Sequence, residues 1–236
     1  MSQYIGQELD IFARAVHWKT YYGRRLQQYL EGEVLEVGAG IGAVTPFLMR
    51  PDQKRWVCLE PDPALAARIA NGFGGASVVE TQVGMLAQLD AAQMFDAIVY
   101  IDVLEHIEDD SGEMRRAAGH LKPGGRVCVL APAHNWLYTP FDKSVGHWRR
   151  YGKESLELVA KSAGLELVRL EYLDSAGLLA SLGNKLLLQS ADPRLKQILF
   201  WDQYLVPVSR LLDPLFGYRV GKSVLGVWQK RQGLSS

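Results

Sequence analysis

The stretch Val34-Leu35-Glu36-Val37-Gly38-Ala39-Gly40-Ile41-Gly42-Ala43-Val44-Thr45 decides the fold of this chain. It opens with an apolar run typical of a buried strand, continues through a glycine-rich turn and ends in an apolar helical pattern. Glycine lets the backbone approach a ligand closely, and a helix that follows such a turn points free N–H groups toward that ligand. The stretch therefore predicts a nucleotide-like cofactor bound at a strand-to-helix turn.

The glycine spacing fits two cofactor-binding patterns. Gly38, Gly40 and Ala43 satisfy the dinucleotide pattern G-x-G-x-x-G/A. The same loop also satisfies E-x-G-x-G-x-G, through Glu36, Gly38, Gly40 and Gly42. The loop alone does not choose the cofactor.

Composition bounds the class of protein. The chain has 236 residues, of which 48% are hydrophobic and 22% charged, so it can bury a full core as one elaborated domain. Lys plus Arg and Asp plus Glu both total 26, which leaves no overall positive field for nucleic acid, so a nucleic-acid partner is not expected. Cys58 and Cys128 lie in apolar runs and are expected to be buried free thiols. We expect a cytoplasmic protein without a membrane span.

Strand-like and helix-like segments alternate along the chain. Apolar runs predict strands at Glu33–Val37, Arg55–Leu59, Ser77–Glu80, Asp96–Ile101 and Arg126–Ala131. Helical patterns lie near Ala43–Arg50, Pro63–Gly72, Ser111–Leu121 and Lys153–Ala163. This alternation predicts a parallel sheet covered by helices on both faces.

The later part of the chain changes character. Lys122-Pro123-Gly124-Gly125 predicts a turn that ends the helix expected at Ser111–Leu121. Leu165–Tyr172 is strand-like, Leu178–Phe216 is helical and rich in leucine, and Ser223–Gln229 is a final strand. The sheet is therefore expected to resume after a long helical insertion.

Four motifs occur in order along the chain: Val34–Thr45, Leu59-Glu60-Pro61-Asp62, Phe95–Ile107 with the string Val103-Leu104-Glu105-His106-Ile107, and Leu121–Gly125. With them the chain resembles the class I S-adenosylmethionine-dependent methyltransferases, in the subgroup with the signature V-L-E-H-I, over Gly32–Gly164. The resemblance implies an α/β fold, a Rossmann-like three-layer sandwich. Its seven-stranded sheet would be mostly parallel with an antiparallel last strand, and here a helical insertion would precede that strand.

The resemblance also implies the domain organisation and the cofactor. We expect a single methyltransferase domain over residues 1–236, with an N-terminal helical lid (1–31) and a cofactor-binding core (32–174). A helical insertion (175–217) and a final strand and tail (218–236) complete it. The cofactor would be S-adenosylmethionine, and the predicted activity is methyl transfer to a small-molecule acceptor.

The cofactor-binding residues follow from the strand ends. Glu60 lies 24 positions after Glu36, where a carboxylate can accept hydrogen bonds from both ribose hydroxyls. By resemblance, Glu36 faces the amino group of the methionine part or holds the loop. The full predicted set is Glu36, Gly38, Ala39, Gly40, Gly42, Glu60, Pro61, Gly84, Met85, Ile101 and Asp102. The acid that the family often places against adenine is missing near Met85, which can equally be a core residue.

The segment His134–Tyr151 concentrates polar and aromatic side chains in a loop after the fifth strand, where substrates meet cofactors in α/β folds. It shares the pattern G-H-x-R-R-Y with bacterial methyltransferases associated with glycan assembly. Tyr138, Asp142, Arg149, Arg150 and Tyr151 are the predicted acceptor-binding residues, although the charged ones can also pin the loop by ion pairs.

Methyl transfer to an oxygen needs a base, and His147, His134 and His106 are the candidates, with His147 favoured. Asp102, Glu105 and His106 resemble the acidic pair and histidine of quinone-biosynthesis O-methyltransferases, for which a divalent ion has been proposed. Glu105 can instead cap a helix and His106 can pack, so the sequence leaves a metal undecided.

Several alternatives stay open. The acceptor is an oxygen of a saccharide, a lipid-linked glycan or a phenolic metabolite, or else the nitrogen of a small amine. The leucine stripe of the insertion, which includes Leu178, Leu179, Leu182, Leu186 and Leu187, fits packing, a lid, a homodimer face or peripheral membrane contact. A nicotinamide oxidoreductase or a noncatalytic cofactor-binding protein would share the glycine loop.

Overall fold

The computed structural model describes residues 8–74, 78–187 and 195–232. Seven strands form one sheet: β1 Glu33–Val37, β2 Arg55–Glu60, β3 Val79–Val83, β4 Phe95–Ile101, β5 Leu121–Pro132, β6 Leu165–Leu173 and β7 Ser223–Lys230. The α-helices are α1 Glu8–Phe12, α2 Val16–Leu26, α3 Thr45–Leu48, α4 Pro63–Gly72, α5 Asp110–Gly119, α6 Pro140–Ser144, α7 Lys153–Ser162, α8 Ser175–Leu187, α9 Leu195–Phe200 and α10 Val206–Leu215. Trp201–Leu205 is a π-helical turn between α9 and α10.

The sheet order is β3-β2-β1-β4-β5-β7-β6. β1 to β5 pair in parallel, and β7 inserts antiparallel between β5 and β6. The predicted seven-stranded sheet with an antiparallel last strand is confirmed. Since the parallel strands share one carboxyl edge, the loops after β1, β2, β3 and β4 meet there.

Each face of the sheet carries its own apolar core, because alternate strand residues point to opposite faces. Leu35 packs on one side with side chains of α5 and α7, among them Met114 and Leu156. Val34 packs on the other side with α2 and with Trp201 of the insertion. The two cores give the predicted three layers.

Three predicted boundaries differ from the structure. The helix expected over Ala43–Arg50 is only Thr45–Leu48, since Pro51 disfavours a helical conformation at the residue before it. The third strand runs to Val83 because Val79–Val83 pairs in register with Trp56–Glu60 of β2; its predicted first residue, Ser77, lies outside the described part.

The helix predicted at Ser111–Leu121 ends at Gly119. Leu121 already pairs with Phe95, and the ladder then shifts so that Arg126 pairs with Ala97. The predicted turn over Lys122–Gly125 therefore lies inside the strand segment as an irregularity, with Gly124 in the left-handed region at φ +78°.

The insertion forms α8, α9, the π-helical turn and α10. The side chains of Leu186 and Leu187 lie outside the described part, as do residues 1–7 of the expected lid and residues 233–236 of the tail. Cys58 and Cys128 are buried free thiols, as expected. Across the described ranges, no helix has the length and apolar character needed to cross a membrane.

Candidate active site

The glycine loop joins β1 to the carboxyl end of β2. Gly38, Gly40 and Gly42 have φ of +66°, +59° and +74°, which other residues adopt with strain. The Gly38 N–H donates to the Leu59 carbonyl at 2.8 Å. A Cβ on Gly38 would lie 2.7 Å from a methyl carbon of Val103. The turn therefore depends on glycine both for its dihedrals and for its contact with the segment after β4.

Glu60, at the end of β2, binds the loop through both carboxylate oxygens. Oε2 accepts from the Gly40 N–H at 2.8 Å and Oε1 from the Asp62 N–H at 3.0 Å. Burial raises the pKa of Glu60, and these two backbone bonds oppose the rise. A carboxylate has about four acceptor positions, so two remain for hydroxyl groups of a ligand.

Glu36 is buried beneath the loop. Its Oε2 accepts from the Thr45 hydroxyl at 2.7 Å and from the Trp56 Nε1–H at 2.8 Å, with the Cys58 thiol 3.9 Å away. Burial raises the pKa of Glu36 to about 7, against the effect of these donors. The acid ties β1, β2 and the first turn of α3 together, which corresponds to the loop-holding role expected for it.

The remaining predicted cofactor residues lie at the same edge of the sheet. Gly84 follows β3 and donates its N–H to the Glu60 carbonyl at 3.1 Å, and the next residue, Met85, is exposed. Ile101 ends β4, and Asp102 has φ +52°. Ala39 and Pro61 adjoin the loop and Glu60 in sequence. The structure thus gathers residues from four strand ends, as the sequence predicts.

Asp102 is exposed to solvent, but protein surrounds it on several sides, as expected for a side chain in a crevice. Burial in this environment raises its pKa to about 6, while electrostatic interactions with His147, Lys222 and Arg150 oppose the rise. Lys222 precedes β7 and was not identified from the sequence as a site residue. Only the antiparallel insertion of β7 beside β5 brings it near the end of β4.

The N-terminal segment lies against the loop. The Leu9 side chain would be 3.5 Å from a Cβ on Gly40, and Asp10 pairs with Arg68 of α4 at 2.6 Å. Trp18, Tyr21 and Tyr22 of α2 are buried in the core. Sequence reasoning missed Leu9, since a single leucine carries no motif.

Asp142 organises the loop after β5. It is fully buried and accepts from Thr139, from His147 Nδ1 at 2.9 Å and from Arg150 Nε at 2.8 Å. Burial would raise the pKa of Asp142, but its bonds with His147 and Arg150 outweigh this and hold the pKa well below its usual range. Asp142 is therefore an anion that orients both His147 and Arg150.

His147 meets Glu105 and His106. Its Nε2 lies 4.0 Å from Glu105 Oε1, and its ring packs edge-on against His106 with centroids 4.6 Å apart. Glu105 is completely buried, and neither carboxylate oxygen has a hydrogen-bond partner in the described residues. Burial and the charge of Asp102 raise the pKa of Glu105 well above its usual value. Burial and His147 lower the pKa of His106 to about 4.

The other predicted acceptor-binding residues hold the loop. Arg149 pairs with Asp110 at 2.5 Å, and the buried Tyr151 hydroxyl donates to the same carboxylate at 2.9 Å. The Tyr138 hydroxyl donates to the His147 carbonyl at 2.6 Å. Both arginines of the G-H-x-R-R-Y pattern thus form ion pairs. Asp110, which anchors the loop to α5, carried no signal in the sequence.

His134 has a separate environment. Its φ is +65°, its Nε2 lies 2.9 Å from the Gly221 carbonyl, and its ring stacks on Trp136 and contacts Tyr172. Since a carbonyl only accepts, Nε2 carries the proton. Burial lowers the pKa of His134, so the imidazole is neutral. The contacts found for His134 do not include His147 or His106.

Glu105, His106 and His147 can each offer one ligand atom to a metal, and these atoms lie within 4.8 Å of one another. Two imidazoles and one carboxylate suit Zn²⁺ or another transition metal better than Mg²⁺, which prefers oxygen ligands. Sequence resemblance pointed to Asp102, Glu105 and His106. The structure replaces Asp102 with His147 in this group, because the loop after β5 folds back over the end of β4.

Comparison with known proteins agrees with the fold. A sequence model of the methyltransferase domain family matches residues 12–170, which contain the glycine loop, Glu60 and the His134–Tyr151 loop. A protein of Xanthomonas axonopodis pv. citri named ubiquinone biosynthesis O-methyltransferase is 33% identical over 151 residues, 57% of this chain and 62% of that protein. The chain spans between 40% and 62% of the length of the curated relatives it matches.

Solved structures show the same fold. The N-methyltransferase NodS of Bradyrhizobium japonicum in complex with S-adenosylhomocysteine superposes with a TM-score of 0.59 at 17% identity, covering 92% of this chain and 88% of NodS. The [4+2]-cyclase SpnF gives a TM-score of 0.62 at 17% identity, covering 91% and 82%. Because a cyclase shares this architecture, the reaction must be argued from the site.

Proposed function

Because the chain belongs to the methyltransferase domain family, whose cofactor is S-adenosylmethionine, we propose that it transfers the cofactor's methyl group to an oxygen of a small molecule. The observation that carries the proposal is the pair formed by Asp142 and His147, 2.9 Å apart beside the end of β4. Relatives named O-methyltransferases support oxygen as the acceptor atom.

The cofactor would lie along the carboxyl edge of the sheet. Glu60 accepts hydrogen bonds from the ribose hydroxyls, the glycine loop passes close beside the cofactor, and Asp102 faces its methionine end. Leu9 of α1 covers the loop at Gly40 as part of a lid. These positions follow from the shared strand edge and from the free acceptor positions on Glu60.

The pair would supply the base. The Asp142 carboxylate holds the His147 proton on Nδ1 and leaves the Nε2 lone pair free. The acceptor oxygen attacks the methyl carbon in line with the sulfonium, the carbon–sulfur bond breaks, and its electron pair stays on sulfur as S-adenosylhomocysteine forms. The acceptor proton passes to His147 Nε2.

A phenolic acceptor fits the proposal best among the candidates. A phenol has a pKa near 10, so a neutral imidazole can remove its proton more easily than that of a saccharide hydroxyl. The nearby curated relatives are named for ubiquinone biosynthesis, which supports a phenol over a saccharide or a lipid-linked glycan. An amine acceptor would need no base at His147.

The test is a turnover assay on a panel of catechols, simple phenols, saccharides and small amines, with release of S-adenosylhomocysteine as the readout. His147→Asn should lower kcat for the accepted phenol at least 100-fold while leaving cofactor affinity unchanged. The matched control is His120→Asn. The His120 imidazole forms a hydrogen bond with the Gln93 carbonyl at the amino end of β5, which is at the opposite edge of the sheet. Turnover that His147→Asn leaves intact would refute the assignment of the base.

A divalent cation would be held by Glu105, His106 and His147, and when bound it would lower the pKa of an acceptor hydroxyl. The raised pKa of Glu105 opposes this arrangement, because a ligating carboxyl must lose its proton. Activity should therefore survive dialysis against a chelator. Loss of activity that an added cation restores would assign these three residues to a metal instead.

A further inference from the structure

A cavity of about 380 Å³ lies between α2, α10 and the edge strand β6. Its lining includes four arginines and two tyrosines, which we call the arginine pocket: Arg24, Arg25, Arg169, Arg210, Tyr21 and Tyr218. β6 is the last strand of the sheet, separated from β1 and its glycine loop by β4, β5 and β7. The pocket is therefore distinct from the candidate active site.

The positive charge of the arginine pocket is only partly neutralised. Glu171 pairs with Arg25 at 2.5 Å and with Arg169 at 2.8 Å. Arg24 and Arg210 are exposed and form no ion pair or hydrogen bond with any residue that the structure describes. Two guanidinium groups thus share one cavity without a counter-ion, an arrangement that an anion would stabilise.

The nearby buried acid Asp213 does not neutralise these two arginines. Its carboxylate accepts from the Tyr21 hydroxyl at 2.8 Å and from the N–H groups of Asp174 and Ser175 at 2.8 and 3.0 Å. Its charge is therefore directed toward the start of α8, into the protein.

Tyr218 adds a preorganised hydroxyl to the pocket. Arg25 donates to its oxygen at 2.9 Å and lies over its ring at 4.1 Å. The Tyr218 carbonyl is fixed by Lys153 Nζ at 2.9 Å. The hydroxyl accepts from Arg25 but donates to no described residue, so its proton is available to an anion.

We propose that the arginine pocket binds a phosphate or diphosphate group. Two unpaired guanidiniums and a hydroxyl present more donors than the two oxygens of a carboxylate can satisfy, whereas a phosphoryl group has three or more acceptor oxygens. The group could belong to a soluble phosphate ester or to a lipid headgroup. Leu211 and Leu215, which follow Arg210 on α10 and are strongly exposed, are apolar surface that a lipid would contact.

Calorimetric titration with inorganic pyrophosphate tests the pocket directly. The wild type should bind it saturably, and Arg24→Gln combined with Arg210→Gln should weaken binding about tenfold or more. The matched control Arg115→Gln removes another exposed arginine, on α5, and should bind like the wild type. Saturating S-adenosylhomocysteine should not compete. Equal binding by the double variant, or competition by S-adenosylhomocysteine, would overturn the proposal.

Sedimentation with vesicles identifies the source of the phosphate. The ligand is a lipid headgroup if the wild type binds vesicles that contain phosphatidylglycerol but not vesicles of pure phosphatidylcholine, and if the double variant does not bind either. Pyrophosphate binding without vesicle binding assigns a soluble ester. If the wild type binds neither pyrophosphate nor these vesicles, the proposal that the pocket binds phosphate is refuted. The double variant should bind S-adenosylhomocysteine with wild-type affinity, whereas Glu60→Gln should bind it about tenfold or more weakly, so failure here is distinct from failure of the proposed function.

Discussion

Two buried carboxyl groups of this protein have opposite protonation behaviour, and their local donors explain the difference. Asp142 receives bonds from a guanidinium and an imidazole, so its pKa is depressed and it stays ionised. Glu105 is equally buried but has no hydrogen-bond donor in the described residues, so its pKa is raised. One acid orients His147 as an anion, while the environment of the other, 4.0 Å from its Nε2, favours the protonated form.

Glu36 predicts a pH dependence of stability. Its pKa rises from 4.5 to about 7 on folding, so the folded state holds its proton more tightly than the unfolded state. The stabilisation from this proton is complete below pH 4.5 and disappears as the pH rises through 7. Relative to Glu36→Gln, the free energy of unfolding of the wild type should fall by on the order of 3 kcal/mol across this window. Urea unfolding of both proteins at several pH values measures this difference in the free energy of unfolding. A difference that does not change with pH would contradict the raised pKa of Glu36.

Glu60→Gln tests the ribose contact. In the wild type, the two Glu60 oxygens accept hydrogen bonds from the N–H groups of Gly40 and Asp62. The amide of the variant has one oxygen fewer, and its NH₂ group would face one of these two N–H donors. The affinity for S-adenosylhomocysteine should fall about tenfold or more. Glu80→Gln, which alters an exposed acid paired with Arg55, is the matched control. Unchanged affinity in a titration would remove Glu60 from the cofactor site.

At the scale of elements, the glycine turn after β1 is specified by backbone geometry and by its neighbours. Gly38→Ala would place a methyl carbon 2.7 Å from Val103 at φ +66°. We expect it to cost about 2 to 3 kcal/mol of stability and to abolish cofactor binding.

Gly183→Ala provides the opposite case. Gly183 lies inside α8 with open space around it, so alanine should stabilise the protein by about 0.5 to 1 kcal/mol. Thermal unfolding of both variants, with and without S-adenosylhomocysteine, checks the pair. A Gly38→Ala protein that still shifts its Tm with the ligand would refute the role of this turn.

At the scale of the whole molecule, buried aspartates join the helical insertion to the body of the domain. Asp202 accepts from the N–H groups of His17 and Trp18 at the start of α2. Asp174 accepts from Trp201 Nε1 at 2.7 Å and from the Ser209 hydroxyl at 2.6 Å. The part of the insertion from α9 to α10 is thus anchored to the core, which contains Ile198, Trp201 and Val206.

Asp213→Asn should show that the insertion and the core unfold together. Asp213 receives donors from α2 and from the start of α8, and an amide would leave some of them unpaired in a buried position. We expect a loss of about 2 to 3 kcal/mol in a single transition. Leu211→Ala, at an exposed position of α10, should change stability by less than about 0.5 kcal/mol. Two separate transitions would show that the insertion folds independently.

Local patterns in the sequence determined the strands, the glycine turn, the sheet class and the cofactor edge. Strand periodicity and glycine spacing are properties of short segments, so the strand and turn at Val34–Thr45 and the position of Glu60 at a strand end could be predicted without tertiary contacts. Contacts between segments that are distant in sequence could not be predicted. The Glu105–His106–His147 cluster, the pairing of both loop arginines and the position of Lys222 depend on how the β5 loop and β7 close over β4. The arginine pocket likewise draws on α2, β6 and α10, which are far apart in sequence and meet only when the sheet assembles.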